Sequence, residues 1–292
     1  MIVPPRRILL ATDFSARSDR AQDRAVSLMK QYNSELLVLH VLEPTRTNRT
    51  AHHVRFSPSF NPDEKLIENA KWQVRDYLRD VGNRVTVRIE KGDPHRAILR
   101  VAGEEQCDLI VSGVARNEML GRITLGKTVD RLMRDSEIPL LIVTDRIRGP
   151  YRNIVVTSDF SDISRQALET AAAFFPNQKL TVLHAHATPG SWAVGDLEGY
   201  REQMRQVAYR EYMAFLDTVD LPSDKRAHIT VLIEWGNLSQ LLQDLVQSTA
   251  VDLVVVGSCV RGVLLHAFTG SVAKRVVSVL PCDALVVRGR CS

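Results

Sequence analysis

Short apolar runs recur along the chain and are separated by longer stretches in which apolar residues return with a helical period. Short apolar runs between helical segments are typical of parallel strands that helices cover on both faces. The pattern predicts an α/β protein with two halves, each a five-stranded parallel sheet with four helices. The predicted strands lie at Ile8–Leu10, Leu36–Val41, Val85–Ile89, Leu109–Val111 and Leu140–Val143, and at Ile154–Val156, Leu180–Ala185, Ile229–Ile233, Leu253–Val256 and Ala284–Val287.

The two halves repeat each other in sequence. RRILLATDFSARSDRA from Arg6 aligns with RNIVVTSDFSDISRQA from Arg152, and VTVRIEKG from Val85 aligns with ITVLIEWG from Ile229. A duplicated unit is the simplest explanation of matches that recur in the same order. We therefore predict two domains, residues 1–148 and 149–292, joined by a short polar bridge at residues 146–150.

Three helix starts are marked by capping residues. Asn61 precedes Pro62, Asp93 precedes Pro94, and Asn237 occupies the position that corresponds to Asp93. Asn and Asp side chains bind the free amides of a first helical turn, and proline suits the first helical position. A helix is predicted directly after each of these three caps.

Composition narrows the class of protein. The chain has 292 residues, a formal net charge of +4 and 6% aromatic residues. A mild positive charge without aromatic residues in a basic run argues against a nucleic-acid partner. The cysteines, Cys107, Cys259, Cys282 and Cys291, form no C-x-x-C pair and suggest a reducing compartment. The apolar runs are far shorter than the roughly 18 residues of a membrane helix, so we expect a cytoplasmic protein with no membrane partner.

Each half carries an aspartate immediately after its first predicted strand. In an open parallel sheet, ligands bind beyond the carboxyl ends of the strands, where the strand order reverses. Asp13 and Asp159 lie there, and each is followed by Phe-Ser. Such a carboxylate could accept hydrogen bonds from a base or a ribose, or it could cap the next helix together with the serine. The sequence leaves both roles open.

The second strand of each half contains Leu-His, at His40 and at His184. The backbone at the end of this strand could form hydrogen bonds to a nucleotide base through its own amide and carbonyl groups. His184 and His186 share one strand face, which admits a zinc pair, but two ligands without a third are weak support for a metal. We therefore predict no metal site.

A segment with matching glycines follows the fourth strand in both halves. Gly113 is followed by Gly126, and Gly257 is followed at the same spacing by Gly270. Glycine lets the backbone approach a polyphosphate closely, and the amides at a helix start favour an anion. The alternative is that these glycines only turn the chain or cap the helix.

Residues 121–128, GRITLGKT, also match the letters of the P-loop, G-x-x-x-x-G-K-[ST]. That loop needs a strand directly before its first glycine, and the predicted strand ends near Ser112. The aligned stretch of the second half reads HAFTGSV and lacks the lysine. We therefore do not predict a P-loop NTPase.

These motifs together resemble a known family. The I-L-L-A-T-D-F-S run, the L-H-V of strand two, a glycine segment of the G-x-x-G-x9-G-[ST] type and a closing P-x-x-x-V-V strand are similar to a tandem universal stress protein. The resemblance covers essentially the whole chain. It implies two Rossmann-like domains of the adenine nucleotide alpha-hydrolase type. It also implies binding of ATP or AMP, with or without Mg²⁺, in the crevice at the strand ends.

The family's contacts are carried over to matching positions of this chain. Contacts to the base fall on Asp13 and Val41 in the first copy, and on Asp159 and Ala185 in the second. Contacts to ribose and phosphate fall on Gly113, Gly126, Lys127 and Thr128, and on Gly257, Gly270, Ser271 and Val272.

Both copies depart from the family pattern. Arg116 and Val260 replace the second glycine, and Lys127 replaces the small hydroxyl residue in the first copy. A side chain at residue 116 or 260 keeps the backbone farther from a phosphate, and valine resists positive φ. The first copy has lost two features and the second only one. The resemblance therefore favours the C-terminal half as the nucleotide site.

No residue is predicted to be catalytic, because the named crevice residues supply one carboxylate per copy, at the base end. We expect a stress-response protein that binds an adenine nucleotide without appreciable turnover. An interaction or scaffold protein with degenerate crevices, and a weak ATPase, are the alternatives. The resemblance also implies contact between the last strands of the two halves, which makes an intramolecular pseudo-dimer. An unidentified protein partner and a homodimer are left open.

Overall fold

Each half of the chain contributes five strands to one continuous ten-stranded sheet. A computed structural model describes residues 2–15, 18–43, 68, 72, 84–114, 125–186, 197–221, 223–259 and 270–289. The N-terminal strands are β1 Arg7–Thr12, β2 Glu35–Leu42, β3 Val85–Lys91, β4 Leu109–Gly113 and β5 Leu140–Val143. The C-terminal strands are β6 Asn153–Thr157, β7 Lys179–His186, β8 Thr230–Trp235, β9 Leu253–Cys259 and β10 Asp283–Gly289.

The strand order is β3-β2-β1-β4-β5-β10-β9-β6-β7-β8. All pairs within each half are parallel, as the apolar runs predicted. In the N-terminal half the order reverses between β1 and β4, and in the C-terminal half between β6 and β9. The predicted α/β fold with two parallel five-stranded units is confirmed.

Helices cover both faces of the sheet. They are α1 Asp19–Tyr32, α2 Pro94–Glu104, α3 Lys127–Asp135, α4 Asp162–Phe174, α5 Leu197–Thr218, α6 Ser223–Arg226, α7 Leu238–Thr249 and α8 Gly270–Val279. Of the helix predicted after Pro62, the structure describes residues 68 and 72, and both are helical. The short α6 was not predicted.

Two apolar clusters, one on each face, use alternate residues of the strands. In β1, Ile8 and Leu10 belong to the cluster that α1, α4 and α5 cover, whereas Leu9 and Ala11 belong to the cluster that α2, α3, α7 and α8 cover. Successive side chains of a strand point to opposite faces, so a strand with helices on both sides must be apolar at every position. This requirement is the physical reason for the unbroken apolar runs.

Two of the three predicted helix caps are confirmed. The side chain of Asp93 accepts a hydrogen bond of 3.0 Å from the amide of Arg96, and Pro94 is the first residue of α2. The side chain of Asn237 accepts a bond of 3.0 Å from the amide of Ser239 at the start of α7. The third cap, Asn61, lies outside the described residues.

The two halves join through the antiparallel pairing of β5 with β10. Leu285 lies opposite Leu141, and Ala284 lies opposite Ile142. The pairing gives each of these edge strands a partner for its backbone groups, so neither edge is left exposed. The joined strands are almost fully buried.

A buried carboxylate fixes the end of this seam. Asp283, 1% exposed, accepts hydrogen bonds from the amides of Thr144 (2.8 Å) and Asp145 (3.1 Å) and from the Tyr151 hydroxyl (2.5 Å). The Nε atom of Arg24 lies 3.3 Å from the Asp283 carboxylate, and the Arg24 guanidinium lies 3.9 Å above the Tyr151 ring. Burial raises the pKa of Asp283, and these donors and the Arg24 charge oppose that rise. The network joins residues of both halves, on either side of the bridge at residues 146–150.

None of the described helices is long and apolar enough to cross a membrane.

Replacing Asp283 by alanine should destabilise the protein by about 3–5 kcal/mol, because the Arg24 charge would stay buried without its partner. Tyr151→Phe should cost less, about 1–3 kcal/mol, since it removes a single donor to a charged group. Equilibrium unfolding in urea measures both changes. Asp217→Ala is the matched control, because the Asp217 side chain is 84% exposed. If Asp283→Ala is as stable as this control, the network does not hold the seam.

Candidate functional site

A crevice opens at the carboxyl ends of β1 and β4, where the strand order of the N-terminal half reverses. Its volume is about 330 Å³, within the range of about 300–1,000 Å³ for small-molecule sites. Its lining residues are Ala11, Thr12, Asp13, Ser15, Ser18, Leu39, Val41, Glu43, Pro94, Ile98, Ser112, Gly113, Val114, Gly126, Thr128 and Val129.

The crevice brings together five of the six site residues predicted in the first copy. These are Asp13, Val41, Gly113, Gly126 and Thr128. The sixth, Lys127, is exposed at the first residue of α3 and does not line the crevice. Arg116, which replaces the second glycine of the family pattern, lies outside the described residues. Residues 121–124 of the P-loop-like match also lie outside them.

Asp13 lies at the mouth of the crevice. Its Oδ1 atom accepts hydrogen bonds from the amide (3.0 Å) and hydroxyl (2.6 Å) of Ser15. Burial raises the pKa of Asp13, but the bonds from Ser15 and Ser18 outweigh it and hold the pKa below its ordinary value. The α1 helix starts with Ser18 as its cap, without a side-chain capping bond. Asp13 is therefore an exposed, ionised acceptor that orders the turn before α1 and does not cap the helix itself.

The other end of the crevice is the start of α3. Gly126 is the capping residue and forms no side-chain capping bond. The first amides of a helix without such a cap are available to an anion, and the helix dipole favours it. Asp130, in the first turn, would oppose an anion, but its carboxylate is paired with Lys274 at 2.7 Å. This end of the crevice is suited to a phosphate.

The sequence did not single out several residues that line the crevice. Glu43 brings a second carboxylate, and Pro94 and Ile98 form an apolar wall at the start of α2. Glu43 lies two residues beyond Val41, so its position just after the second predicted strand could have identified it as a crevice residue. The position of Pro94 and Ile98 in this wall depends on how α2 packs on the sheet, and no local sequence pattern predicts that packing.

The matching aspartate of the second copy has a different environment. The Oδ1 atom of Asp159 accepts bonds from the amide (3.1 Å) and hydroxyl (2.5 Å) of Ser161 and from the Ser164 hydroxyl (2.6 Å). Ser161 is the capping residue of α4. Asp159 thus supports the start of a helix, which is the capping alternative that the sequence left open.

The structure describes the other C-terminal site residues only in part. Ala185 is half-buried in β7, and Val272 is half-buried in α8. Gly270 and Ser271 are the first two residues of α8. Residues 260–269, including Val260, lie outside the described residues, so the C-terminal crevice cannot be assembled from the described part of the chain.

Gly257 lies in β9 under the first turn of α4. A Cβ atom at this position would lie 2.7 Å from Cγ2 of Ile163 and 3.3 Å from its carbonyl oxygen. A contact of 2.7 Å would force Ile163 to shift, so the close packing of α4 on β9 favours glycine here. This packing is a reason for the glycine that is independent of any phosphate.

The histidine of each Leu-His pair binds the end of the neighbouring first strand. The Nδ1 atom of His40 lies 2.9 Å from the carbonyl oxygen of Thr12, and that of His184 lies 2.9 Å from the carbonyl oxygen of Ser158. Each ring contacts the phenylalanine after the aspartate: the centroid distances are 4.6 Å to Phe14 and 4.4 Å to Phe160. Both phenylalanines have positive φ, so the contact helps to hold a strained turn.

In the C-terminal half this aromatic contact continues outward. His184 contacts His186 at 4.5 Å between ring centroids, and His186 stacks on Trp235 at 4.8 Å. Among the described residues, no group of three or more His, Cys, Asp or Glu side chains is placed to hold a metal ion. Burial lowers the pKa of His186, the nearby His184 lowers it further, and Glu211 opposes both effects.

Comparison with known proteins gives one family. The family model described as "Universal stress protein family" matches residues 5–144 and again residues 150–288. A universal stress protein of Mycolicibacterium smegmatis is 24% identical over 307 aligned positions, covering 97% of this chain and 97% of that protein. A universal stress protein of Methanocaldococcus jannaschii is 27% identical over 157 positions, covering 49% of this chain and 97% of that protein.

Among solved structures, a universal stress protein from Archaeoglobus fulgidus has a TM-score of 0.70 at 18% identity. It covers 97% of this chain and 98% of that one. A protein of unknown function from Pseudomonas aeruginosa has a TM-score of 0.66 at 18% identity, covering 97% and 92% of the two chains. At this identity the similarity establishes the fold.

Gly257→Ala should destabilise the protein by about 1–3 kcal/mol through overpacking against Ile163. In an Ile163→Ala background most of that cost should disappear, because the clashing Cγ2 atom is absent. Gly103→Ala is the control, since a Cβ atom at Gly103 in α2 meets nothing within 4 Å. Urea unfolding of the four variants measures the coupling. An undiminished cost in the double variant would show that the packing does not require the glycine.

Stability should fall as the pH falls through about 6.5, because the unfolded chain takes up a proton at residue 186 more readily than the folded protein does. The loss should level off once the pH is below the depressed pKa of folded His186. His186→Phe should remove part of this loss. Urea midpoints at about pH 7.5 and about pH 5.5 test this. Equal pH dependence in His186→Phe and the unaltered protein would contradict it.

Proposed function

Because the chain belongs to the universal stress protein family, we propose that it is a stress-response protein that binds an adenine nucleotide, ATP or AMP, without appreciable turnover. The nucleotide acts as a ligand that biases the conformation of the protein or its choice of partner. The family resemblance supplies the class of ligand, and the crevice of the N-terminal half supplies a place for it.

The crevice is the observation that carries the proposal. Its two ends suit the two ends of a nucleotide. Asp13 and the backbone at Val41 present acceptors and donors to the base and ribose, whereas the start of α3, with Gly126 and Thr128, faces the phosphates. Ile98 and Leu39 give the base an apolar surface between them. Few precisely placed polar groups on an apolar wall are typical of small-molecule sites.

The choice of half is the finer part of the proposal. The glycine pattern favours the C-terminal half, because Lys127 interrupts the pattern in the N-terminal half. The geometry favours the N-terminal half, because Asp13 is exposed at the crevice, whereas Asp159 is half-buried and accepts a bond of 2.6 Å from the Ser164 hydroxyl. We propose that the N-terminal crevice binds nucleotide, and the preference for the C-terminal half stays a prediction.

Binding without turnover follows from the positions of the carboxylates. Phosphoryl transfer needs metal-binding groups and a residue that positions the attacking water, both beside the terminal phosphate. Among the described residues that line the crevice, the carboxylates are Asp13 and Glu43, which follow β1 and β2. The start of α3 offers Thr128 and helix amides, which stabilise a bound phosphate but do not activate water.

Binding should appear as a rise in melting temperature with Mg-ATP. At a nucleotide concentration of 100 times its dissociation constant, the expected stabilisation is about 2.7 kcal/mol. Asp13→Ala and Asp159→Ala are a matched pair, one in each half. Asp13→Ala should weaken nucleotide binding about tenfold, because it removes a charged acceptor. Isothermal titration calorimetry of both variants decides which half binds.

Asp217→Ala serves as the control for a surface charge change. No thermal shift at millimolar ATP, together with no nucleotide recovered from the denatured purified protein, would favour the scaffold alternative. A larger effect of Asp159→Ala than of Asp13→Ala would return the site to the C-terminal half. Phosphate release that is lost in Lys127→Ala would favour the weak ATPase.

A further inference from the structure

A second cavity lies at the amino-terminal ends of the C-terminal strands. Its volume is about 510 Å³, near the middle of the range for small-molecule sites. It lies between the end of α4, the start of β7 and the segment around α6. Its apolar lining consists of Ala172, Phe175, Pro176, Leu180, Leu221 and Ile229, and its polar lining consists of Asn177, Gln178, Lys179, Lys225 and His228.

The sequence explains why the cavity exists in this half. The buried residues Leu28 and Met29 of α1 correspond to Phe174 and Phe175 at the end of α4 in the aligned repeat. After that point α1 continues to Tyr32, whereas α4 stops at Phe174. Pro176 causes the stop, because proline excludes the helical conformation at the residue before it and cannot donate the next helical bond. The C-terminal half therefore lacks a last helical turn, and residues 175–178 line the space instead.

The floor of the cavity is apolar. Phe175 is 4% exposed and Leu180 is 6% exposed, and both belong to the cluster that α1, α4 and α5 cover. Leu221 and Ile229 are partly buried and pack on the same cluster. An apolar group placed here would remove further surface from water, which is favourable at about 25 cal/mol per Å².

The rim of the cavity is positively charged. Lys179 and Lys225 line it, and none of the described residues that line it is an aspartate or a glutamate. In the part of the chain that the structure describes, neither lysine side chain forms an ion pair or a hydrogen bond. An apolar floor with two uncompensated ammonium groups at its rim is complementary to an anion that carries an apolar tail.

We propose that this cavity binds a small amphiphilic carboxylate, such as a medium-chain fatty acid. The apolar tail packs on Phe175, Leu180 and Ile229, and the carboxylate pairs with Lys179 and Lys225. Because the cavity shares no residue with the crevice of the N-terminal half, this proposal does not depend on nucleotide binding.

Isothermal titration calorimetry with decanoate, below the concentration at which it forms micelles, tests the proposal. We expect a single decanoate to bind per chain, and decyltrimethylammonium, which has the same tail and the opposite charge, not to bind. Lys179→Glu combined with Lys225→Glu should weaken decanoate binding at least about tenfold, because the charge-assisted hydrogen bonds are lost. Lys30→Glu is the matched control: Lys30 is exposed on α1 and does not line the cavity.

A second variant tests the cavity by shape. Ile229→Trp should fill the space and weaken decanoate binding while leaving the two lysines in place. Absence of decanoate binding, equal binding of the two detergents, or equal affinity in the double lysine variant and the Lys30→Glu control would each overturn the proposal. Displacement of decanoate by ATP would also overturn it, because the fatty acid would then occupy the nucleotide crevice.

Discussion

The seam between β5 and β10 is the contact on which the rest of the arrangement depends. Backbone pairing alone could slide by two residues and still keep apolar side chains on each face. Asp283 removes that freedom, because a buried carboxylate is stable only where its donors are in place. The amides of Thr144 and Asp145, the Tyr151 hydroxyl and the Arg24 guanidinium meet it in a single register. The polar network therefore specifies which alignment of the two apolar strands is stable.

The direction of this pairing determines where the two cavities open. Since β5 and β10 are antiparallel, the carboxyl ends of β1–β5 and the amino ends of β6–β10 lie at the same edge of the ten-stranded sheet. The crevice and the second cavity therefore both lie along the side of the sheet formed by these strand ends. They lie on opposite faces, because Ile98 and Val129 line the crevice while Ala172 and Phe175 line the second cavity. The Asp283 network lies at the same edge, at the amino end of β10.

Features with a local physical cause were predictable from the sequence. Apolar runs gave the strands, and the capping geometry of Asp93 and Asn237 depends on residues two or three positions away. Features that need distant partners were not. The contact of Gly257 with Ile163, the Asp283 network and the bond from His40 to Thr12 each join residues that only the fold brings together. Of the crevice, the chain positions at the strand ends, including that of Glu43, could be predicted from the sequence, whereas the wall of α2 could not.

The two copies show why retention of a sequence motif is a poor measure of a retained site. The C-terminal copy keeps more of the motif, because Ser271 follows its last glycine where the N-terminal copy has Lys127. Yet the packing of α4 favours glycine at residue 257, a reason that holds whether or not a phosphate binds. The same Asp-x-Ser turn also has two outcomes. Ser164 adds a hydroxyl bond to Asp159 and engages it at a helix start, whereas Asp13 keeps its carboxylate exposed at an open crevice. A repeated motif can serve the packing of one copy while the same groups lie at an open crevice in the other, so each copy must be judged by its contacts.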